Sequence, residues 1–172
     1  MTQTEVRGDR DLLVARAILL LAWAMAGAVN AIGFIMGSTP TPLGILATLA
    51  VVCAWPVAGW YAGSRSGERF VRFAVVFWII VAVGGPLVFR ALNAAPGLSS
   101  SQGGWVLPLA LFITAAPLYG LVAMLPYQMA MVWTAVIGVA VLAITLGAYL
   151  AGRRSGRPPA VRPNKRADKP AV

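Results

Sequence analysis

The sequence contains no histidine, and this absence excludes a large class of metal chemistry. Imidazole is the usual ligand of haem, zinc, copper and di-iron centres, so the chain cannot build such a centre from its own imidazoles. The single cysteine, Cys53, has no partner for an internal disulfide, a Cys-x-x-Cys redox pair or a thiolate cage. We therefore expect no bound metal and no cofactor, and we expect Cys53 to be a small buried hydrophobe.

Acidic residues are also scarce, and none of them lies in an apolar segment. The five are Glu5, Asp9, Asp11, Glu68 and Asp168. Carboxylates at membrane depth are the usual groups of proton relays and ion-coupled transporters. The chain also lacks a phosphate-binding glycine loop, a nucleophile elbow and a metal motif. These absences argue against an ion-coupled transporter and against an enzyme.

Apolar residues are what the chain has in excess. Hydrophobic residues make up 59% of it and charged residues 11%, with a mean hydropathy of +0.79. Ordinary soluble domains are roughly 25% charged. Apolar runs long enough to cross a bilayer predict transmembrane helices, and the short alternating segments of a β-barrel are not seen. The predicted fold class is all-α, a polytopic integral membrane helical bundle without a separate soluble domain.

Five apolar helical segments are predicted between a polar N-terminal tail, residues 1–11, and a basic C-terminal tail, residues 152–172. The segments are 12–37, 43–63, 70–92, 105–125 and 126–151. The first segment is too long for the apolar core of a signal peptide, so we expect an uncleaved span. The prolines of the C-terminal tail make a persistent helix improbable, and we expect this tail to be disordered.

The last two segments form an uncharged stretch from Trp105 to Ala151 that determines the topology. One continuous helix of this length would run roughly 70 Å, about twice the thickness of the hydrocarbon core. The stretch must therefore be divided. The best division is at Pro126, because proline suits the first position of a new helix. Two segments that each cross would give five crossings in all.

The basic residues favour a different count. Of the 14 lysines and arginines, all but Arg90 lie near the N-terminus, in residues 65–72 or in the C-terminal tail. Four crossings place those three groups on one side, as the positive-inside rule requires, whereas five divide them almost evenly. Four crossings result if 105–125 is a re-entrant segment that turns at Pro117–Gly120. Hydrophobic length favours five crossings; the re-entrant arrangement and insertion in both orientations are the alternatives.

Four polar residues are candidate ligand or packing positions: Asn30, Arg90, Tyr119 and Gln128. An amide as deep in a span as Asn30 needs an interhelical partner and can fix helix register. Arg90 either binds an anion or headgroup near the outer face or extends its side chain to the interface from a helix end. Tyr119 and Gln128, together with Thr134, could line a polar cleft with Asn30.

Pairs of small residues four positions apart predict close helix packing. They occur at Gly33/Gly37, Gly59/Gly63 and Gly147/Ala151. Such pairs let two helix backbones approach each other, either within one chain or between chains. The sequence does not choose between tight packing and oligomer formation.

The net charge of +9 is explained by topology and by lipid, and not by nucleic acid. Half of the basic residues lie in the C-terminal tail, where they predict contact with the bilayer and its anionic headgroups. They are Arg153, Arg154, Arg157, Arg162, Lys165, Arg166 and Lys169. The arginine-, alanine- and glycine-rich composition is typical of a bacterial protein, so a multi-pass protein of the plasma membrane is expected.

The expected function follows from the scarcity of ionisable groups at membrane depth. We expect a small non-enzymatic accessory or interaction subunit that packs with itself or with another membrane complex. The alternative is a permease or exporter for a small apolar or amphipathic solute. Its path would run around Asn30, Arg90 and the proline-broken fourth segment.

Overall fold

A computed structural model describes residues 3–65, 67–94, 106–126 and 129–155. It is 91% helical with no strand among these residues. Four helices are long and apolar enough to cross a membrane, and a shorter apolar helix lies between the third and the fourth. The four are Asp11–Met36, Pro42–Ser64, Glu68–Ala91 and Ala130–Ser155, and the shorter one is Leu109–Val122. The predicted all-α bundle with five apolar segments is confirmed.

The helices have the following bounds. Helix α1 is Gln3–Met36 and α2 is Pro42–Ser64. The third long helix consists of α3 (Glu68–Ile79), a π-helical turn (Ile80–Gly84) and α4 (Gly85–Ala94). The broken segment consists of α5 (Val106–Ala115), a 3-10 turn (Ala116–Leu118) and α6 (Tyr119–Val122). Helix α7 is Ala130–Ser155.

These bounds differ from the predicted segments mainly at the ends. Helix α1 already includes most of the predicted N-terminal tail, and α7 begins at Ala130 instead of Pro126. Helix α7 also continues into the predicted C-terminal tail as far as Ser155. The remainder of that tail, 156–172, lies outside the described residues.

The predicted turn between α1 and α2 forms at its glycine and prolines. Gly37 ends α1 with φ +60°, a left-handed conformation that glycine adopts without steric cost. Thr41 then caps α2, because its hydroxyl accepts a hydrogen bond from the Gly44 amide at 3.0 Å. Pro42 occupies the first helical position, where a missing N–H does no harm. The polar Gly37–Gly44 stretch therefore reverses the chain direction.

Helices α2 and α7 pack closely through the predicted glycine pair. A Cβ added to Gly59 would come within 2.6 Å of the Thr145 carbonyl oxygen, and one at Gly63 would overlap the Tyr149 carbonyl. Gly152 is the α7 counterpart, since a Cβ there would overlap the Trp60 carbonyl. Such close backbone approach is what small residues permit in membrane helices.

The order of these contacts gives the helix directions. Gly59 contacts Thr145, and Gly63, one turn later, contacts Tyr149, one turn later in its own helix. Helices α2 and α7 are therefore parallel. The third long helix begins at the end where α2 finishes and runs in the opposite direction, and its Trp78 and Ala82 lie against Gly138 of α7.

The long helices consequently share two ends. The end that holds Asp11, Ser64, Glu68 and Ser155 is called the basic end here, and the end that holds Met36, Pro42, Ala94 and Ala130 the pocket end. Since α3 begins at the basic end and α7 begins at the pocket end, the broken segment starts and finishes at the pocket end. The arrangement is that of the re-entrant alternative to five crossings, because four helices are long enough to cross and the broken segment is not. Pro117 is the physical reason, because it interrupts the helix before it is long enough to cross.

Aromatic rings fill the centre of the bundle. Trp55 stacks on Phe77 with a centroid separation of 4.6 Å, and Trp23 meets Trp78 edge-to-face at 5.6 Å. Trp55 and Trp78 are completely buried. Cys53 corrects another expectation, because it is exposed on the outer surface. Two helical residues turn the chain by about 200°, so Cys53 faces away from the core that Trp55 faces.

Arginines surround the basic end. Arg65 forms an ion pair with Asp11 and lies over the Tyr61 ring, 4.6 Å from its centroid. The Arg16 guanidinium lies 5.6 Å from the centroid of Phe73. Arg153 and Arg154 occupy the last turn of α7, where a positive charge interacts favourably with the helix dipole.

Candidate binding pocket beside the re-entrant segment

The re-entrant segment breaks at a proline. The backbone carbonyl that this proline leaves without a helical hydrogen bond accepts one from a side chain of another helix. Proline has no N–H, so Pro117 cannot donate to the carbonyl of Ile113 one helical turn earlier. The indole N–H of Trp23 donates to that carbonyl instead, at 2.9 Å. An unpaired carbonyl in a low-dielectric interior is costly, and Trp23 removes that cost. This contact fixes α5 against α1.

The carbonyl of Pro117 is paired in the same way by α2. The Thr48 hydroxyl lies 2.9 Å from this carbonyl and 3.0 Å from the carbonyl of Gly44 in its own helix. Gly120 then passes so close to α2 that a Cβ would overlap the Gly44 carbonyl and lie 2.6 Å from the Thr48 hydroxyl. The returning part of the segment is therefore seated on the first turns of α2.

Asn30 ties α1 to the same place. Its amide nitrogen lies 3.0 Å from the Ala26 carbonyl, 3.1 Å from the Thr48 hydroxyl and 3.3 Å from the Gly44 carbonyl. The residue is 3% exposed. Asn30 thus lies beneath the turn of the re-entrant segment, connected to it through Thr48. Its described contacts are those of a packing position.

Tyr119 anchors the returning chain near the pocket end. Its hydroxyl donates to the carbonyl of Ser38, just beyond the end of α1. Its ring meets Phe34 edge-to-face at 5.7 Å and packs on Gly33, where an added Cβ would come within 3.1 Å of the ring. Gly33 therefore leaves space for the Tyr119 ring, so this glycine serves packing within one molecule.

Beside Tyr119 is an apolar pocket of about 320 Å³ at the pocket end of the bundle. Its walls come from the end of α1, from α4, from the re-entrant segment and from the start of α7. The lining residues are Phe34, Ile35, Gly37, Phe89, Leu111, Ala115, Tyr119, Val122, Ala123, Met129, Ala130, Met131, Val132 and Thr134. This volume is at the lower end of the range of roughly 300–1,000 Å³ found for small-molecule sites.

Among the described residues, the lining carries no charge, and its polar side chains already have partners. The Thr134 hydroxyl donates to the Ala130 carbonyl in its own helix at 3.0 Å, and Tyr119 donates to Ser38. A ligand here would gain mainly from burial of apolar surface. The arrangement suits an apolar molecule or the apolar part of an amphipathic one.

Several apolar residues that line the pocket are exposed on the surface of the bundle. Ile35 is 70% exposed, Val132 54% and Met129 52%. Ile35 belongs to the end of α1, Val132 to the start of α7, and Met129 immediately precedes α7; all three line the pocket and are called its rim here. A molecule in the surrounding lipid therefore meets apolar side chains at the rim and apolar side chains inside.

The structure distributes the predicted site residues unevenly. Tyr119 and Thr134 both line the pocket, whereas Asn30 is not among the lining residues. Arg90 is exposed and follows Phe89, which lines the pocket. Gln128 lies outside the described residues. Phe34, Met129 and Met131 were missed because an apolar side chain in an apolar segment gives no signal that it borders a cavity.

Among the described residues, there is no group of three or more cysteine, aspartate and glutamate side chains that could hold a metal. Comparison with protein-family models, with curated proteins and with solved structures finds no match to this chain.

Proposed function

We propose that this chain is a small non-enzymatic membrane protein that binds an apolar or amphipathic molecule in the pocket at its pocket end. It would belong to the functional class of a permease or exporter for such solutes. The observation that carries this proposal is the uncharged pocket of about 320 Å³ with an exposed apolar rim. The proposal reverses the order of the two functions expected from the sequence.

The broken backbone of the pocket wall supports the proposal that the pocket binds a ligand. Its inner wall is a segment that proline breaks, and the carbonyls of Ile113 and Pro117 receive hydrogen bonds from two neighbouring helices. A broken backbone in a membrane protein is tolerable where protein surrounds it, and such segments recur at the binding sites of transporters. A bundle that needed only to fill space would have no use for this interruption.

The proposal can be tested with a diazirine derivative of dodecanol, an uncharged apolar photolabel, on the protein in lipid nanodiscs. We expect labelling in the peptide that contains Met129–Thr134, saturable and competed by unlabelled dodecanol. Ala123→Phe should abolish the saturable labelling, because the ring would occupy the pocket. Ala50→Phe is the matched control, since Ala50 is exposed on α2 away from the lining.

Two results would contradict the proposal. One is labelling that dodecanol does not compete for, which is what general contact with lipid produces. The other is Ala123→Phe protein that folds like the wild type, by circular dichroism and gel filtration, and still labels saturably.

A second candidate is the accessory or interaction subunit, and one surface of α7 favours it. Gly147 has no atom within 4 Å of an added Cβ, and Ala143 and Ala151 are exposed one turn to either side. The Gly147/Ala151 pair is thus not covered by any of the described residues, unlike Gly59/Gly63. Small residues aligned on a helix surface permit close packing of a second transmembrane helix.

This candidate is tested by the association state of the purified protein. Gly147→Leu should convert an oligomer or a complex into a monomer without loss of helix content, because the leucine would prevent close approach. Wild-type protein that is a monodisperse monomer, with no co-purifying chain, would count against an interaction subunit and leave the pocket proposal intact.

The same proposal includes a location and a set of lipid contacts. We place the chain in a bacterial plasma membrane with the basic end towards the cytoplasm, because basic residues are retained on that side. The arginines of the basic end and the seven basic residues from Arg153 to Lys169 would then face anionic headgroups.

A further inference from the structure

We propose that the molecule in the pocket is an anionic phospholipid of the surrounding leaflet, with one hydrocarbon chain in the pocket and its phosphate at Arg90. This inference rests on the proposed function, because it names the class of molecule that the same pocket takes. It adds a second element, Arg90, that the pocket alone does not include.

The pocket fits a hydrocarbon chain better than a polar solute. None of the lining residues that the structure describes is charged, and the hydroxyls of Tyr119 and Thr134 are engaged with backbone carbonyls. A sugar, nucleotide or peptide would have to leave its hydrogen bonds to water without replacement, which is unfavourable for each polar group. A lipid chain makes no such demand. It can also enter through the rim at Ile35, Met129 and Val132 without leaving the membrane.

Arg90 is exposed and is the neighbour in the chain of a residue that lines the pocket. It immediately follows Phe89, a lining residue of the pocket, and it precedes the end of α4 at Ala94 by four residues, a rise of about 6 Å. An arginine side chain can span that distance towards the interface while its stem stays in apolar surroundings. The guanidinium offers several donors in a fork that matches two phosphate oxygens.

The sequence context makes the charge of Arg90 notable. It is the single charged residue between Arg72 and Arg153, and it lies on the end opposite to the other arginines of the bundle. A cation at that end runs against the positive-inside pattern. An anionic phosphate would offset this charge, whereas an uncharged ligand would not. The pocket end thus combines one cation with one apolar cavity, which are the two parts needed for an anionic amphiphile.

The test compares two photoactivatable lipids that have the same hydrocarbon chain and differ in the headgroup. Wild-type protein in phosphatidylcholine nanodiscs is labelled with diazirine-bearing lysophosphatidic acid, which is anionic, or with the zwitterionic lysophosphatidylcholine of the same chain. We expect saturable labelling of the Met129–Thr134 peptide by both, with about fivefold tighter half-saturation for the anionic lipid. Phosphatidylglycerol should compete, and inorganic phosphate should not.

The variants separate the headgroup from the chain. Arg90→Gln should remove the preference for the anionic lipid and leave labelling by the zwitterionic lipid unchanged, whereas Arg90→Lys should retain most of the preference. Ala123→Phe should remove saturable labelling by both lipids. A preference that survives in Arg90→Gln overturns the role of Arg90 and leaves the pocket in place. Saturable labelling by dodecanol but by neither lipid also overturns this inference while the proposed function stands.

Discussion

At the scale of single residues, the re-entrant segment depends on side chains that replace backbone hydrogen bonds. The indole of Trp23 pairs the carbonyl that Pro117 leaves free, and Thr48 pairs the carbonyl of Pro117 itself. Asn30 then joins Thr48 from the side of α1. In a membrane, no water reaches such groups, so each of them must be satisfied by protein. These few polar residues therefore permit a backbone shape that the lipid would otherwise forbid.

The threonines offer a matched comparison of this effect. Thr48 and Thr145 are both buried, but the Thr48 hydroxyl contacts another segment at Pro117, whereas Thr145 donates only to Val141 in its own helix. Thr48→Val should lower the free energy of unfolding by about 1 kcal/mol, the usual size of an interhelical hydrogen bond in membranes. Thr145→Val should change it much less.

The difference in stability between the two variants is measured by unfolding in detergent. Steric trapping or the thermal loss of the circular dichroism signal of the helices monitors the unfolding. Equal losses for the two variants would mean that the contact between Thr48 and Pro117 contributes nothing to holding the re-entrant segment. Loss of dodecanol labelling in Thr48→Val, with the fold retained, would further show that the pocket wall depends on this contact.

The residue scale also shows what sequence could predict. Asn30 was expected to find an interhelical partner because an amide deep in an apolar span needs one, and it has one in Thr48. Cys53 was assigned to the core because it is small and apolar, and it is exposed instead. Composition identifies which residues tolerate burial. Which side of a helix faces the core depends on neighbours that a single segment does not contain.

At the scale of elements, close contact between α2 and α7 depends on glycines. Gly59, Gly63 and Gly152 each face backbone atoms of the other helix, with no room for a Cβ. The sequence contained three small-residue pairs with no basis for ranking them. The structure separates them, because Gly59/Gly63 faces α7 while Gly147/Ala151 faces outward.

Gly63→Ala tests this contact, with Gly147→Ala as its control in a neighbouring helix. The methyl group at Gly63 would overlap the Tyr149 carbonyl and force the two helices apart, whereas at Gly147 it would enter open space. Overpacking of this kind costs about 1–3 kcal/mol, so Gly63→Ala should unfold at clearly lower temperature than the wild type. Gly147→Ala should be as stable as the wild type or slightly more stable, since alanine favours helix. A Gly63→Ala protein with wild-type stability would contradict the close packing described here.

The re-entrant segment shows why the pocket could not be predicted from the sequence. Pro117 and Gly120 identify a break, and that part of the prediction needed only local chemistry. The pocket walls, however, come from four segments that are distant from one another in the chain. Phe34, Phe89 and Val132, for example, belong to three of them. Each of these residues looks like an ordinary lipid-facing or core residue within its own helix. The cavity exists only because a shortened segment leaves space between longer ones.

At the scale of the whole molecule, two signals in the sequence disagreed and the fold reconciles them. Hydrophobic length counted five segments, and the distribution of arginine and lysine required an even number of crossings. The parallel pair α2 and α7 places the start of α1, the loop at Arg65 and the end of α7 at the basic end. The fold agrees with the charge pattern, which reports on the whole topology, whereas hydrophobic length reports on one segment at a time.

Reporter fusions at three positions test this topology in living cells. A reporter at the N-terminus and one at the C-terminus should lie on the same side of the membrane, and one inserted between Ser99 and Gly103 should lie on the opposite side. Five crossings would instead place the C-terminal reporter with the Ser99–Gly103 reporter. If the protein inserts in both orientations, each of the three positions should be detected on both sides of the membrane. Removing the charge of Arg90 by Arg90→Gln should leave the side on which each reporter lies unchanged, because the other 13 basic residues already determine the orientation. An inverted pattern in that variant would assign Arg90 to orientation and remove the reason for a phosphate beside it.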